Sequence, residues 1–196
     1  MEKVAPLNGN LTISHDEIGN LPLKFFNGKI VLITEERKLK QAFSEIADQE
    51  VIGFDTETRP SFKKGEFHKV SLLQIALPAK VFLIRLNHTG MGSPIIKFLE
   101  NEKIQKVGVG VRDDIKALHK LSRFRAGGFT ELSAMAREAG LQVESVKKLT
   151  ALLLGFRISK SAQTSNWESP ILTSKQLEYA ATDAWVCLKI YEKLRR

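Results

Sequence analysis

The most constraining feature of the sequence is the segment VIGFDTET at Val51–Thr58, which has the pattern of a strand but ends in two carboxylates. Alternate side chains of a strand point to the same face, so Asp55 and Glu57 project together. Like charges held so close repel each other, and partial burial disfavours both. A hard divalent cation such as Mg2+ would compensate, because it prefers carboxylate oxygens. The alternative is a solvated strand end with two unrelated acids, which is the commoner case for an isolated Asp-x-Glu.

Length and composition indicate one soluble globular domain. The 196 residues are enough for a proper core, and 43% of them are hydrophobic. The single cysteine, Cys187, excludes an internal disulfide and a zinc site built on cysteine pairs. The first thirty residues lack the apolar stretch of a signal peptide, and no segment is long enough to span a bilayer. We therefore expect a cytoplasmic protein, nuclear if its source is eukaryotic, with no membrane partner.

The charge balance favours an anionic partner. Thirty lysines and arginines against twenty-two acids give a formal net charge of +8. Such an excess is typical of proteins that bind nucleic acid, but many basic proteins bind none. The positive charge is stronger evidence for an anionic partner if the acids are concentrated in one pocket, because the remaining surface is then more basic still.

Apolar periodicity alternates between strands and helices along the chain. Strands are predicted at residues 28–34, 51–55, 69–77, 80–86, 105–111 and 129–132. Helices are predicted at residues 35–49, 94–101, 114–121, 133–139, 145–154 and 174–194. Residues 69–77 and 80–86 should form a hairpin, so this α/β pattern predicts a mixed β-sheet flanked by helices. Residues 1–27 show no clear period and are predicted to be an N-terminal arm, whereas residues 28–196 form one domain.

Further acids lie in two other segments. In LEYAATDAWVCLKIYEKL, Tyr179 and Asp183 are four residues apart and share one helical face. A hydrogen-bonded core pair is the alternative for these two residues, and the more frequent one. In KVGVGVRDDIKAL, Asp113 and Asp114 follow a strand with two glycines, where helix-start acids are favoured by the helix dipole. Taken individually, each of these features has a purely structural explanation.

Together and in this order, the motifs resemble the DEDD superfamily of 3′–5′ exonucleases. The resemblance is to the tyrosine branch (DEDDy), which contains RNase D and the Werner-syndrome exonuclease domain. It covers roughly residues 28–194 and rests on VIGFDTET, KVSLLQIAL, KVGVGVRDDIKAL, SNWESPILTSKQLEYAATDA and, more loosely, LLLGF. The sister branch has a histidine five residues before the last aspartate; Glu178 stands there, which excludes that branch. The resemblance implies the ribonuclease H-like exonuclease fold.

The resemblance also implies the site residues. The catalytic set it implies is Asp55, Glu57, Asp114, Tyr179 and Asp183. Family spacing, eight residues after the lysine that matches Lys106, selects Asp114 over Asp113. The four acids would hold two divalent cations, Mg2+ or Mn2+, about 3.5–4 Å apart. By the same resemblance, Asp55 bridges both ions and Tyr179 orients the attacking water.

The remaining metal roles and the substrate contacts follow from the resemblance and from charge. Glu57 and Asp183 would hold the ion that activates water, and Asp114 the second ion. Candidate substrate-binding residues are Thr56, Leu73, Gln74, Arg59, Lys63, Lys64 and Lys160. The three in the basic loop at 59–68 suit phosphate contacts, with a merely solvated loop as the alternative. For Leu73, core packing is an equally good explanation.

The predicted function is metal-dependent removal of nucleotides from the 3′ end of a nucleic acid, releasing nucleoside 5′-monophosphates. We expect DNA ahead of RNA, although the sequence itself does not distinguish them, nor single from double strands. One alternative is a catalytically silent nucleic-acid-binding module on the same fold; retention of all five signature residues argues against it. Another is an enzyme acting on short oligonucleotides or a nucleotide-like molecule. The predicted partners are nucleic acid 3′ ends, and the sequence identifies no protein partner.

Overall fold

A computed structural model describes residues 12–195, and a six-stranded sheet forms its centre. The strands are β1 (Lys29–Ile33), β2 (Val51–Thr58), β3 (Val70–Ala76), β4 (Lys80–Arg85), β5 (Gln105–Gly108) and β6 (Phe129–Glu131). The helices are α1 (His15–Asn20), α2 (Leu39–Ile46), α3 (Leu86–Thr89), α4 (Ser93–Glu100), α5 (Val111–His119), α6 (Leu132–Glu138), α7 (Val146–Leu154) and α8 (Ser174–Leu194). The predicted mixed sheet flanked by helices is confirmed.

The sheet order is β1-β4-β3-β2-β5-β6, and β3 alone runs against the other strands. The predicted hairpin is the antiparallel pair β3 and β4. Since β2 and β5 are parallel neighbours, their carboxyl ends lie at the same edge of the sheet. In α/β sheets this edge is where ligands usually bind.

Both faces of the sheet are covered. On one face, α2, α4 and α5 pack through Leu39, Ile95 and Leu118 against Phe54 and other apolar strand residues. On the other face, α8 packs along its length, with α6 and α7 completing the layer. Between residues 12 and 195, no helix combines the length and apolarity needed to cross a membrane.

The structure differs from the predicted elements in several places, including the short helix α3, which was not predicted. Part of the predicted irregular arm is helical: α1 begins at a Ser14 cap, whose side chain bonds reciprocally with Glu17. Strand β2 continues to Thr58 instead of ending at the first acid. Helix α5 begins three residues early, because Gly110 has a left-handed φ of +80° and ends the preceding strand. The division between residues 1–27 and 28–196 stays a prediction, and residues 1–11 lie outside the described part.

Candidate active site

The close crossing of α8 over β2 brings together carboxylates from distant parts of the chain. Gly53 lies beneath α8, and a Cβ there would lie only 2.0 Å from the carbonyl oxygen of Ala184. Only glycine allows the two backbones to approach so closely. Asp55 and Glu57 follow on the same face of the strand as Gly53, and Asp183 directly precedes Ala184. The crossing therefore places Asp183 beside both strand acids.

The acidic cluster consists of Asp55, Glu57 and Asp183, one oxygen of each lying within 4.8 Å of the others. Burial, with repulsion from Asp183, raises the pKa of Glu57 to about 9. Burial also raises the pKa of Asp183 from 3.8 to about 7. The pKa of Asp55 is raised as well, by burial first and then by the surrounding carboxylates. The protein thus holds these groups where ionisation is disfavoured, and a cation would relieve that cost.

The chemistry of the cluster fits a hard divalent cation. All its donors are carboxylate oxygens, which suit Mg2+ or Mn2+, whereas zinc more often takes histidine or cysteine. Asp183 Oδ1 is buried and has no hydrogen-bond partner among residues 12–195. A buried polar atom normally has a partner, so this oxygen indicates a ligand that the side chains do not supply.

Asp114 approaches the cluster through Thr56. Because Thr56 stands between the two strand acids, its side chain points to the opposite face, where its hydroxyl donates to Asp114 Oδ1 at 2.6 Å. Burial raises the pKa of Asp114 to about 6, and the Thr56 hydrogen bond opposes that rise. Glu131 fixes the start of α5 by accepting the backbone N–H groups of Gly110 and Val111, both at 3.0 Å.

The geometry separates the two adjacent aspartates. The Asp113 side chain is 84% exposed and pairs with Lys116 at 2.9 Å on the surface of α5. Asp114 is half-buried and turned towards the end of β2. This placement is consistent with the choice of Asp114, whose role as a metal ligand stays a prediction. Asp114 is not part of the group of three within 4.8 Å.

Tyr179 and Lys160 adjoin the third acid of the cluster. Tyr179 is buried one helical turn before Asp183, with its ring centroid 6.0 Å from that of Trp167. Burial and the charge of Asp183 raise the pKa of Tyr179, so its hydroxyl keeps its proton. A hydrogen bond from Tyr179 and the charge of Lys160 both work to lower the pKa of Asp183. The structure thus brings together Tyr179, Lys160 and the cluster.

Two residues predicted to line the cleft lie on opposite faces of β3. Gln74 is opposite Asp55 in the register of the sheet, and its buried amide opposes the rise in the pKa of Glu57, although neither amide atom has a hydrogen-bond partner of normal geometry among the described residues. Leu73 is opposite Thr56 and is fully buried in the apolar core beneath the sheet. The prediction that Leu73 lines the cleft is corrected: the structure assigns it to the alternative, core packing.

The basic loop between β2 and β3 is anchored beside the cluster. Arg59 Nη1 lies 3.3 Å from Glu168 Oε2, which belongs to the segment before α8. Lys63 and Lys64 are exposed, so both are available to a ligand, and their phosphate contacts stay predictions. Sequence reasoning missed Glu131 and Glu168, since each acts on a distant segment; Glu168 lies within the SNWESP motif, but nothing local shows that it pairs with Arg59. The only signal for Glu131 was its position as an acid at the end of the short strand β6.

Comparisons with known proteins agree with this geometry. The sequence profile of the family described as 3′–5′ exonuclease matches residues 30–196. The chain is 34% identical over 185 residues to the bifunctional 3′–5′ exonuclease/ATP-dependent helicase WRN of Mus musculus, covering 89% of this chain and 13% of that protein. It is 29% identical over 163 residues to DNA polymerase I of Aquifex aeolicus, covering 83% of this chain and 27% of the polymerase. The chain thus spans a small part of these relatives.

A solved structure shows the same fold. Escherichia coli RNase D, an exoribonuclease involved in structured RNA processing, superimposes with a TM-score of 0.77 and 22% identity. The match covers 85% of this chain and 44% of the RNase D chain. The predicted ribonuclease H-like exonuclease fold is therefore confirmed.

Proposed function

Because the chain belongs to the 3′–5′ exonuclease family of enzymes, we propose that it hydrolyses the terminal phosphodiester bond at the 3′ end of a nucleic acid and releases nucleoside 5′-monophosphates. The observation that carries the proposal is the cluster of Asp55, Glu57 and Asp183, with oxygens within 4.8 Å of one another. Family membership and this cluster both indicate use of a divalent metal. We assign two cations, Mg2+ or Mn2+, to the cluster together with Asp114.

Once bound, such cations would acidify the attacking water and offset negative charge on the phosphoryl oxygens. The three acids of the cluster would be the ligands of these cations. Because their pKa values are raised, they would release protons when a cation binds. Tyr179 keeps its hydroxyl proton and is placed beside Asp183, where it can orient the attacking water. Lys160 brings a positive charge to the same acid and can bind the phosphodiester that is cut.

We propose DNA as the substrate ahead of RNA. The support is the 29% identity to a relative named DNA polymerase I, over 83% of this chain. The likeness to RNase D rests on 22% identity and concerns the fold. The net charge of +8 suits either polymer, because both present phosphates.

Digestion of 5′-labelled single-stranded DNA, duplex DNA and RNA, each with Mg2+, Mn2+ or EDTA, tests the proposal. We expect a ladder of products that shortens from the 3′ end with either metal, fastest on DNA, and no products in EDTA. Asp55→Ala should abolish the ladder, whereas Asp113→Ala, which changes an exposed acid, should not. A circular single strand has no end, and its equal digestion would refute the proposal. Binding without hydrolysis would instead indicate a catalytically silent module.

A further inference from the structure

The loop between β2 and β3, which begins directly after the strand that carries Asp55 and Glu57, exposes two phenylalanines. Phe62 and Phe67 are 80% and 87% exposed, and in the described part of the chain only Ile171, at 84%, is a comparably exposed large apolar residue. Scattered apolar residues on a surface need no explanation, but a group of them marks a binding site. Phe62 and Phe67 lie in the β2–β3 loop and Ile171 in the segment before α8, and Glu168 joins these two segments. The three exposed residues therefore belong to one region of the surface.

The loop that carries the phenylalanines is an ordered turn. Gly65 has a left-handed φ of +84°, and the Glu66 N–H donates to the carbonyl oxygen of Lys63 at 3.1 Å. The Glu66 side chain closes the turn by accepting the Phe62 N–H at 3.3 Å. It also lies 3.1 Å from His68 Nε2. The backbone around both aromatic residues is therefore held by polar contacts while their rings remain in solvent.

Glu168 connects this turn to the rim of the active site. One carboxylate oxygen lies 3.3 Å from Arg59 Nη1 and the other 3.1 Å from His68 Nδ1, so Glu168 holds both ends of the loop. Phe62 follows Glu57 by five residues, and five residues span at most about 17 Å. Phe67 precedes Leu72, the partner of Glu57 in the sheet, by the same five residues. Both rings are within reach of the first few nucleotides of a strand whose end lies at the cluster.

The residues around the phenylalanines decide which partner this surface suits. Lys63 and Lys64 directly follow Phe62, and Arg59 begins the loop, so the aromatic rings are interspersed with positive charge. A basic surface with exposed aromatic rings is the composition that binds single-stranded nucleic acid, because bases stack on the rings while cations bind the phosphates.

We propose that Phe62 and Phe67 form a stacking platform for unpaired bases of the strand whose 3′ end enters the active site. Lys63 and Lys64 contact the phosphates of the same strand. The proposal rests on the proposed function for the identity of the ligand, and it adds a substrate class, a single-stranded 3′ segment. A paired duplex end buries its base faces against one another and cannot stack on the platform.

The test measures binding separately from hydrolysis. Fluorescence anisotropy in EDTA compares a labelled oligothymidine with an abasic strand of equal length, using the wild type and the Phe62→Ala/Phe67→Ala variant. The wild type should prefer the strand with bases, and the variant should lose about 5- to 150-fold in affinity for each ring that stacks. Its affinity for the abasic strand should be unchanged. Phe62→Leu/Phe67→Leu is the matched control, because it keeps apolar bulk without an aromatic face and should also lose affinity.

Replacement of both residues by tryptophan should retain the preference for bases. With Mg2+ or Mn2+, the alanine variant should show a raised KM on single strands and an almost unchanged kcat. Equal affinity of wild type and alanine variant for the strand with bases overturns the proposal. The proposal is also overturned if the alanine substitutions change only the oligomeric state, measured by sedimentation, because the surface would then be a protein interface. Because binding is measured without cleavage, the two proposals can fail separately. If the alanine variant loses the preference for bases but the wild type cuts no substrate, the stacking proposal stands and the exonuclease proposal is rejected.

Discussion

Replacing Asp183 by asparagine should stabilise the metal-free protein at pH 8. Burial raises the pKa of Asp183 from 3.8 to about 7, so at pH 8 the folded protein carries a charge that its surroundings disfavour. Each pKa unit corresponds to about 1.4 kcal/mol, which gives an upper limit of about 4 kcal/mol. Burial of the new amide offsets part of this gain. Since 1 kcal/mol shifts the Tm of a chain this size by about 2–4 °C, we expect a rise of several degrees, with a ceiling of roughly 8–16 °C.

Thermal unfolding in EDTA between pH 4 and pH 9 measures the effect. A raised pKa in the folded state means that the stability from the neutral acid is fully present below about pH 4 and is lost as the pH rises through about 7. The difference in Tm between variant and wild type should therefore grow from pH 4 to pH 7 and then level off. The wild type should weaken further towards pH 9, where Glu57 ionises. Added Mn2+ should raise the Tm of the wild type more than that of the variant.

Asp113→Asn is the matched control, because that side chain is 84% exposed and forms only a surface pair with Lys116. It should change the free energy of unfolding by no more than about 0.5 kcal/mol at any pH. If Asp183→Asn lowers the Tm equally at pH 4 and pH 8, Asp183 is a structural hydrogen-bonding residue and the reasoning from a buried charge is wrong.

Three other variants test the geometry of the site. Gly53→Ala should push α8 away from β2, because its Cβ would lie 2.0 Å from the Ala184 carbonyl oxygen. Turnover should fall strongly and the free energy of unfolding by about 1–3 kcal/mol, and turnover equal to that of the wild type contradicts this. Tyr179→Phe should slow single turnover by about 10²–10³ with little change in Tm; a full rate with a lower Tm would make Tyr179 a packing residue. Glu131→Gln should weaken the cap on Gly110 and lower Tm, and an unchanged Tm in thermal unfolding would exclude that capping role.

The parts of the site that follow from local chemistry were predictable from the sequence. The alternation of β2 places Asp55 and Glu57 on one face whatever the rest of the chain does. Helix α8 carries its own start signal, since Thr173 and Gln176 form a reciprocal cap. Its four-residue spacing then fixes Tyr179 relative to the acid that follows. These features depend only on neighbouring residues.

The features that escaped prediction depend on register or on distant partners. The same alternation shows that Leu73 and Gln74 point to opposite faces, but only the pairing of β3 with β2 decides which one meets the acids. That register shifts between Glu57 and Thr58, at an irregularity that no sequence signal indicates. Glu131 and Glu168 are single acids in segments without periodicity, and each bonds to residues at least twenty positions away.

The four acids are not equivalent in this fold, and the difference follows from strand alternation. Three of them meet on the α8 face of the sheet, where burial raises the pKa of each acid and Asp183 Oδ1 has no hydrogen-bond partner among the described residues. Asp114 approaches from α5 and already has a partner, because the Thr56 hydroxyl donates to it at 2.6 Å. Burial also raises the pKa of Asp114, but the Thr56 hydrogen bond already offsets part of that cost, whereas Asp183 Oδ1 in the cluster has no such partner. We therefore expect a cation to bind at Asp55, Glu57 and Asp183 more tightly than at Asp114, which would show as two separate steps in a titration with Mn2+.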